Sequence, residues 1–370
     1  NASTSGTFMN AISASISPRA ISLAAAIAAL LSTPSTASAD DVQRPDYSAY
    51  EQAGHLRFLI AGDGDLRRTP SLGLSFGERY HRATLDTGST GVVVGATSIP
   101  NIDQLPKIAD GELTYTSSGR VMKGRWVRTP ITIVGEGDNA VEIEPIPVLA
   151  VDRVDCLPHA RDCDPDEDVG RIAMIGIGFA REGDRQSQST PDKNPFLHVV
   201  SHNNAQRHGY VLTSEGVFIG LSPVNTSGPF EYVKLDRNSA GTDWSPVPAC
   251  IAVNSVRPAS CGTLLVDSGV GTSFMTLPPS QTTERELQPG ETVSVTIPRG
   301  KDFTPLYSFG VDDGSPVTPS KIHLRISADR TFLNTSFRFL NGFDILYDAD
   351  AGYVGFRRKL LIGQSVQREQ

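Results

Sequence analysis

Two short segments of this 370-residue chain share one pattern, and they constrain its fold more than any other feature. Leu85-Asp86-Thr87-Gly88-Ser89 and Val266-Asp267-Ser268-Gly269-Val270 each follow a short apolar run that is typical of a β-strand. The two aspartates are 181 positions apart, which is about half of the chain that follows residue 39. An internal repeat at this spacing predicts two related lobes, each of which supplies one acidic loop.

The chemistry of such a pair follows from placing Asp86 and Asp267 side by side. Two carboxylates at contact distance cannot both ionise, so they share one proton. The ionised partner can accept a proton from water, while the protonated partner donates one to a carbonyl oxygen. The pair therefore indicates hydrolysis by general acid/base activation of water, with no cofactor and no metal ion.

The remaining residues of the two loops have supporting roles. Gly88 and Gly269 are expected where the backbone turns tightly and approaches the partner loop. The hydroxyl groups of Thr87 and Ser268 are expected to form hydrogen bonds between the loops. The hydroxyl of Ser89 is expected to orient the first carboxylate.

The composition is that of a globular protein, with 39% hydrophobic residues and a formal net charge of −8. Lys and Arg form no stripe, so nucleic acid is not an expected partner. Recurrent strand signals separated by turn residues predict a mainly β chain. The predicted strands are Leu56–Ile60, Ser71–Phe76, Gly91–Val94, Ile131–Val134, Val141–Ile143, Val217–Leu221, Val293–Ile297 and Ile322–Ile326, and the predicted short helices are Phe196–His202 and Thr282–Leu287.

The N-terminus is predicted to be a signal peptide that is cleaved after Ala39. Arg19 precedes the apolar run Ala20–Leu31, and small residues at 37–39 form a cleavage site. The run is too short to span a bilayer, and a retained membrane anchor is the alternative. We therefore expect a secreted or periplasmic protein without stable membrane insertion. The short stretch from residue 40 to Asp86 predicts no full-length inhibitory propeptide.

The four cysteines fall into two close pairs, Cys156 with Cys163 and Cys250 with Cys261. An even number behind a signal peptide favours a disulfide within each pair, although four cysteines allow three connectivities. A zinc site that uses His159 is the alternative for the first pair. The acidic residues around that pair favour a surface loop.

From about residue 68 to residue 357 the chain resembles the pepsin-like family of aspartic proteases. The resemblance rests on segments 69–77, 83–89, 113–124, 173–178, 216–220 and 339–356, together with the two aspartate loops. It implies a mainly β, bilobal fold of two related β-barrel-like lobes with an active-site cleft between them. Tyr115 falls on the flap tyrosine that closes over substrate in that family; packing across strands is the alternative role.

The predicted organisation is a signal peptide with an upstream extension at 1–39, an N-terminal segment at 40–67, an N-terminal lobe with Asp86 and the flap at 68–215, a C-terminal lobe with Asp267 at 216–362, and a tail at 363–370. The resemblance is to a divergent, bacterial-type member of the family. It implies a monomeric aspartic endopeptidase that acts on peptides or unfolded proteins. The alternative is a catalytically inactive pepsin-like protein that binds peptides or proteins.

Three positions depart from the family pattern. Val270 stands where the family has Ser or Thr, and Thr272 is expected to supply the orienting hydroxyl instead. The tryptophan that partners the flap tyrosine is absent, and Trp126 is a candidate substitute. The apolar-apolar-Gly segment of the second lobe is interpreted as Phe332-Leu333-Asn334, whose side-chain amide would need hydrogen-bond partners.

Overall fold

The computed structural model describes residues 44–59, 64–77, 80–201, 205–298 and 304–359. Strands account for 43% of the described residues and helices for 8%, which confirms the predicted mainly β class. The predicted signal peptide, the tail and the final residues of two predicted elements, Ile60 and His202, lie outside the described residues.

The described residues form twenty strands and eight short 3-10 helices. The strands are β1 (Gly54–Arg57), β2 (Ser71–Ser75), β3 (Tyr80–Asp86), β4 (Thr90–Gly95), β5 (Lys107–Tyr115), β6 (Arg120–Val134), β7 (Ala140–Cys156), β8 (Ala173–Ile177), β9 (Gly209–Leu212), β10 (Gly216–Ile219), β11 (Glu231–Lys234), β12 (Val247–Val253), β13 (Ser260–Leu265), β14 (Ser273–Leu277), β15 (Thr292–Thr296), β16 (Tyr307–Gly310), β17 (Ile322–Ile326), β18 (Phe332–Asn334), β19 (Phe343–Asp348) and β20 (Tyr353–Arg358). The helices are Ala96–Ser98, Ile102–Gln104, Glu136–Asp138, Val169–Arg171, Glu182–Asp184, Pro191–Lys193, Pro195–Leu197 and Phe337–Asn341.

Three sheets organise these strands into two lobes. The N-terminal sheet has the order β2-β3-β8-β4-β7-β6-β5, and a further pairing of β2 with β6 curls it into a half-barrel. The C-terminal sheet has the order β16-β15-β12-β13-β18-β14-β17. A six-stranded sheet, β1-β10-β9-β19-β20-β11, takes strands that precede, separate and follow the two lobes in the sequence.

The repeat found in the sequence coincides with a repeat in sheet topology. In the N-terminal lobe β3 runs parallel to β8, which pairs antiparallel with β4. In the C-terminal lobe β13 runs parallel to β18, which pairs antiparallel with β14. The aspartate loops follow β3 and β13, so each lobe places its loop at the same point of an equivalent three-strand unit.

The strand after the first aspartate loop is buried on both faces. All six residues of β4 are buried, and the run Val92-Val93-Val94 has no alternation of polar and apolar positions. Such a continuous apolar run is typical of a strand that is covered on both sides. The loop at Asp86 therefore joins β3 to a fully buried strand, β4, and both of these strands pair with β8.

Both predicted helices are wrong in the described residues. Segment 282–287 contains no helix, and only Pro195–Leu197 of the other region forms a helical turn. Short helices are marginal unless an apolar face packs against the protein. Within segment 282–287 only Leu287 is buried, so such a face is missing.

The six-stranded sheet contains a buried ion pair that we expect to contribute strongly to stability. The Asp348 side chain is fully buried and accepts hydrogen bonds from Arg207 at 3.0 and 2.9 Å and from Tyr47 at 3.1 Å. Replacing Arg207 by Met leaves this charge without its cation, so the free energy of unfolding should fall by about 3 kcal/mol. Denaturant titration measures the change.

The matched control is Arg171→Met, which removes an ion pair to Asp168 that is exposed on both sides. Exposed pairs contribute little, so this variant should unfold like the unmodified protein. Equal stability of the two variants would contradict the role assigned to the buried pair.

Candidate active site

The two aspartate loops approach so closely that each requires its glycine. A Cβ atom built on Gly88 would lie 2.4 Å from Cγ of Asp267, and one built on Gly269 would lie 2.4 Å from Oδ1 of Asp86. No other residue fits at these distances. The structure thus brings the two predicted carboxylates together, and it confirms the close approach predicted for both glycines.

Reciprocal hydrogen bonds join the two loops. Thr87 Oγ1 donates to the carbonyl oxygen of Val266 at 2.6 Å and accepts from the backbone N–H of Ser268 at 2.9 Å. Ser268 Oγ donates to the carbonyl oxygen of Leu85 at 2.7 Å and accepts from the backbone N–H of Thr87 at 3.0 Å. All of these groups are buried, so the four bonds are shielded from water. They confirm the predicted role of the two hydroxyl groups.

The Asp86 carboxylate accepts two hydrogen bonds from its own loop. The backbone N–H of Gly88 donates to Oδ1 at 2.7 Å, and Ser89 Oγ donates to Oδ2 at 2.5 Å. The second contact confirms the orienting role predicted for Ser89. With both oxygens engaged, the carboxylate is held in one orientation.

The Asp267 carboxylate is oriented by an amide rather than by a hydroxyl. The backbone N–H of Gly269 donates to Oδ1 at 2.9 Å, and Asn334 Nδ2 donates to Oδ2 at 2.5 Å. The expectation for Thr272 is wrong, because its hydroxyl bonds to neither carboxylate within the described part of the chain. The Asn334 amide reaches the carboxylate from the neighbouring strand and replaces the donor that Val270 cannot provide.

The strand register corrects our interpretation of the second apolar-apolar-Gly segment. Met174 pairs with the residue two positions before Asp86, and Asn334 pairs with the residue two positions before Asp267. Asn334 therefore corresponds to Met174. Two positions further on, Ser336 corresponds to Gly176, which pairs with Asp86 in the N-terminal lobe. Ser336 has φ +70°, a backbone region that favours glycine and is strained for other residues.

The Asp267 carboxylate has a raised proton affinity. Burial and the neighbouring Asp86 charge raise the pKa of Asp267 to about 8, against the opposing hydrogen bonds from Asn334 and Gly269. Two buried carboxylates in contact retain one proton between them because the doubly ionised state is unfavourable. At neutral pH the site is therefore poised with one proton, held on the Asp267 side.

The flap is a hairpin of β5 and β6 that ends over the pair. Tyr115 is the last residue of β5, and its hydroxyl lies 2.7 Å from Met174 Sδ and near the hydroxyl of Ser89. Burial and the Asp86 carboxylate raise the pKa of Tyr115, so the hydroxyl stays protonated. The partner of this hydroxyl is Met174 rather than Trp126, which packs in the buried cluster below the hairpin.

The tip of the flap is attached to a disulfide-closed loop. Strand β7 follows β6 along the whole flap and ends at Cys156, and the disulfide to Cys163 closes the segment beyond it. In that segment Leu157 donates a backbone hydrogen bond to Gly119 O, and Arg161 donates one to Ser118 O, both at 2.8 Å. The flap is therefore part of a three-stranded structure and not a free hairpin.

The outer edge of the flap is held by Gln186. Its Oε1 accepts from the backbone N–H of Thr114 at 2.8 Å, and its Nε2 donates to the carbonyl oxygen of Thr114 at 2.9 Å. Sequence reasoning found neither Gln186 nor the contact role of Met174. Met174 lies in segment 173–178, which contributes to the family resemblance without indicating this contact, and nothing in the sequence around Gln186 distinguishes it.

Both predicted disulfides are confirmed, Cys156–Cys163 and Cys250–Cys261. The thiols of the first pair are bonded to each other, which rules out the zinc alternative for that loop. Two disulfides are typical of an oxidising, extracellular-type environment. No helix within the described ranges is long and apolar enough to cross a membrane.

The pair, the flap and the wall formed by β14, β17 and β18 line one open cleft. No protein-family model matches the chain, and no curated protein is significantly similar to it. The functional argument therefore depends on the geometry of the cleft and on the sequence motifs that form it.

The raised pKa of Asp267 predicts a stability change with pH. The folded state holds a proton that the unfolded chain releases near pH 3.8, so the stability from this group is complete at acid pH and is lost as pH rises through about 8. Between pH 3.8 and about 8, the free energy of unfolding of Asp267→Asn should fall less steeply with pH than that of the unmodified protein. The two slopes should differ by up to about 1.4 kcal/mol per pH unit. Denaturant titrations across this range measure the slope.

Asp152→Asn is the control, since Asp152 is an exposed carboxylate on β7. Its slope should equal that of the unmodified protein. An unchanged slope in Asp267→Asn as well would show that the proton is not held at this site.

Proposed function

We propose that this protein is an aspartic endopeptidase of the pepsin-like type, with Asp86 and Asp267 as its catalytic residues. The observation that carries the proposal is the reciprocal hydrogen bonding of Thr87 and Ser268, which fixes two buried carboxylates in contact. A cleft open to an extended chain and covered by a flap is consistent with a peptide substrate. The proposed substrates are peptides or unfolded proteins.

The reaction needs one carboxylate and one carboxylic acid. Asp86 accepts a proton from a water molecule as its oxygen attacks the scissile carbonyl carbon, and Asp267 donates its proton to the carbonyl oxygen. In the resulting tetrahedral intermediate, Asp86 returns its proton to the amide nitrogen. One hydroxyl then gives its proton to Asp267 as the carbon–nitrogen bond breaks. The pair ends with the single proton with which it began.

The raised pKa of Asp267 supports this division of roles, since the acid must hold its proton at working pH. Asn334 Nδ2 can only donate, so the Asp267 oxygen that it contacts remains an acceptor. The same hydrogen bond removes a sequence-based reason to favour an inactive binding protein, namely the loss of an orienting donor at Val270.

The disulfides support a secreted or periplasmic location, which we propose together with the endopeptidase function. Membrane insertion, nucleic-acid binding and a cofactor have no part in this proposal. The protein is proposed to act as a monomer.

The first test is proteolysis of an unfolded protein substrate across acidic to neutral pH. Asp86→Asn and Asp267→Asn should each lower kcat/KM at least about a hundredfold, because each removes one half of the acid/base pair. Asp152→Asn should leave the rate unchanged. Cleavage that persists in either active-site variant refutes the assignment, and no cleavage by the unmodified protein at any pH would favour a peptide-binding protein.

A second test addresses Asn334 as the positioning residue of Asp267. Asn334→Ala removes the donor to Oδ2, so kcat should fall about tenfold or more with little change in KM. Val270 occupies the position in the second loop that Ser89 occupies in the first. Adding Val270→Ser to the Asn334→Ala variant should therefore restore part of kcat, as measured by steady-state kinetics.

The control for this rescue is Val270→Ser alone, which should change kcat little because Asn334 already supplies the hydrogen bond. The pH profile adds a readout that a purely structural role would not move. Since the Asn334 hydrogen bond lowers the pKa of Asp267, the basic limb should shift to higher pH in Asn334→Ala and back in the double variant. An unchanged profile in all variants contradicts the positioning role.

A further inference from the structure

One wall of the cleft presents two rows of side chains from β18, β14 and β17. Asn334, Phe274 and His323 are neighbours across these strands, and the rings of Phe274 and His323 stack at 5.1 Å. A second row runs parallel to the first, two residues further along the strands, and consists of Phe332, Thr276 and Arg325. Because two strand residues span about 7 Å, the second row lies that far from the row that touches Asp267.

The cleft contains cations that lack a carboxylate partner. Arg161, Arg325 and Arg330 line it and are exposed, and none forms an ion pair with any residue in the described ranges. By contrast, Arg120 pairs with Glu167, and Arg181 pairs with Asp184 at 2.6 Å. Arg161 donates one hydrogen bond, to the carbonyl oxygen of Ser117 at 3.3 Å, and each of the three guanidinium groups keeps further N–H donors for a ligand.

Aromatic rings hold two of these guanidinium groups in place. The Arg330 guanidinium carbon lies 4.9 Å from the centre of the Phe332 ring, and that of Arg161 lies 5.7 Å from the centre of the Phe274 ring. A guanidinium that stacks on a ring keeps its in-plane N–H donors free. Those donors match the geometry of a carboxylate, which can accept two of them at once.

The charge of the cleft is opposite to that of the whole protein. Apart from the catalytic pair, the described residues that line the cleft include five arginines and two carboxylates, Asp162 and Asp184. Asp184 faces Arg330 but is already bonded to Arg181. The chain as a whole has a net charge of −8. A concave site with a local excess of positive charge attracts anionic ligands.

We propose that the cleft selects peptide substrates that carry Asp or Glu side chains close to the scissile bond. Arg325 and Arg330 bind the side-chain carboxylate of a peptide residue that lies one to two positions from the scissile bond, on the side of the C-terminal lobe. An extended peptide has the same rise per residue as the strands of the wall, so alternate side chains meet successive rows. This inference rests on the proposed endopeptidase function for its biological role, although the binding preference is independent of catalysis.

The test uses fluorescent peptide pairs that differ only by Glu or Gln at successive positions, with the uncleaving Asp86→Asn protein. At about pH 6, where glutamate is ionised, anisotropy titration should give about tenfold tighter binding of the Glu peptide at one or two positions. The preference should shrink at high ionic strength because the arginines are exposed. In a background that also carries Arg325→Gln and Arg330→Gln, it should be lost.

Arg128→Gln in the same background is the matched control, since Arg128 is an exposed arginine outside the cleft lining, and it should retain the preference. Equal binding of Glu and Gln peptides, a preference that survives the double arginine substitution, or no binding of any peptide would overturn the inference. Cleavage by the unmodified protein is measured separately. Preference without cleavage would defeat the proposed endopeptidase alone, and cleavage without preference would defeat this inference alone.

Discussion

Two buried carboxylates in contact repel each other when both are ionised, and the structure around Asp86 and Asp267 holds them together against that repulsion. Unless their loops were held together from below, Asp86 and Asp267 would move apart and water would enter between the two carboxylates. The reciprocal hydrogen bonds of Thr87 and Ser268 supply that restraint, and each loop keeps a glycine where the opposite carboxylate lies. The fold contributes by ending two equivalent strands, β3 and β13, at the same place. Burial and this forced proximity to Asp86 together raise the pKa of Asp267.

The two lobes reach the same result with different residues. Ser89 orients the first carboxylate from within its own loop, whereas Asn334 orients the second from a neighbouring strand. A hydroxyl can donate or accept, but the amide nitrogen can only donate, so the second carboxylate is the more restricted of the two. This asymmetry fits unequal roles for two aspartates that the topology makes equivalent.

The flap that covers the carboxylate pair is attached along both edges and is not a free lid. The flap is bonded along one side to β7 and the disulfide loop, and along the other to Gln186. The flap is therefore restrained along both of its edges. Below it, the wall of the cleft carries aromatic and basic side chains, which supports the proposed preference for acidic peptides.

The mainly β class can be predicted from the sequence alone, as can the repeat of two acidic loops, the roles of Thr87, Ser89 and Ser268, and both disulfides. These features depend on residues that are close in the chain or on a motif that occurs twice. Three features become visible only in the folded chain: the donor to Asp267, the partner of Tyr115 and the charge of the cleft. Asn334, Met174 and Arg325 act across strand pairings, and the register of those pairings is fixed by packing of the whole sheet. The helix predicted at 282–287 does not form, because this segment has no apolar face that could pack against the protein.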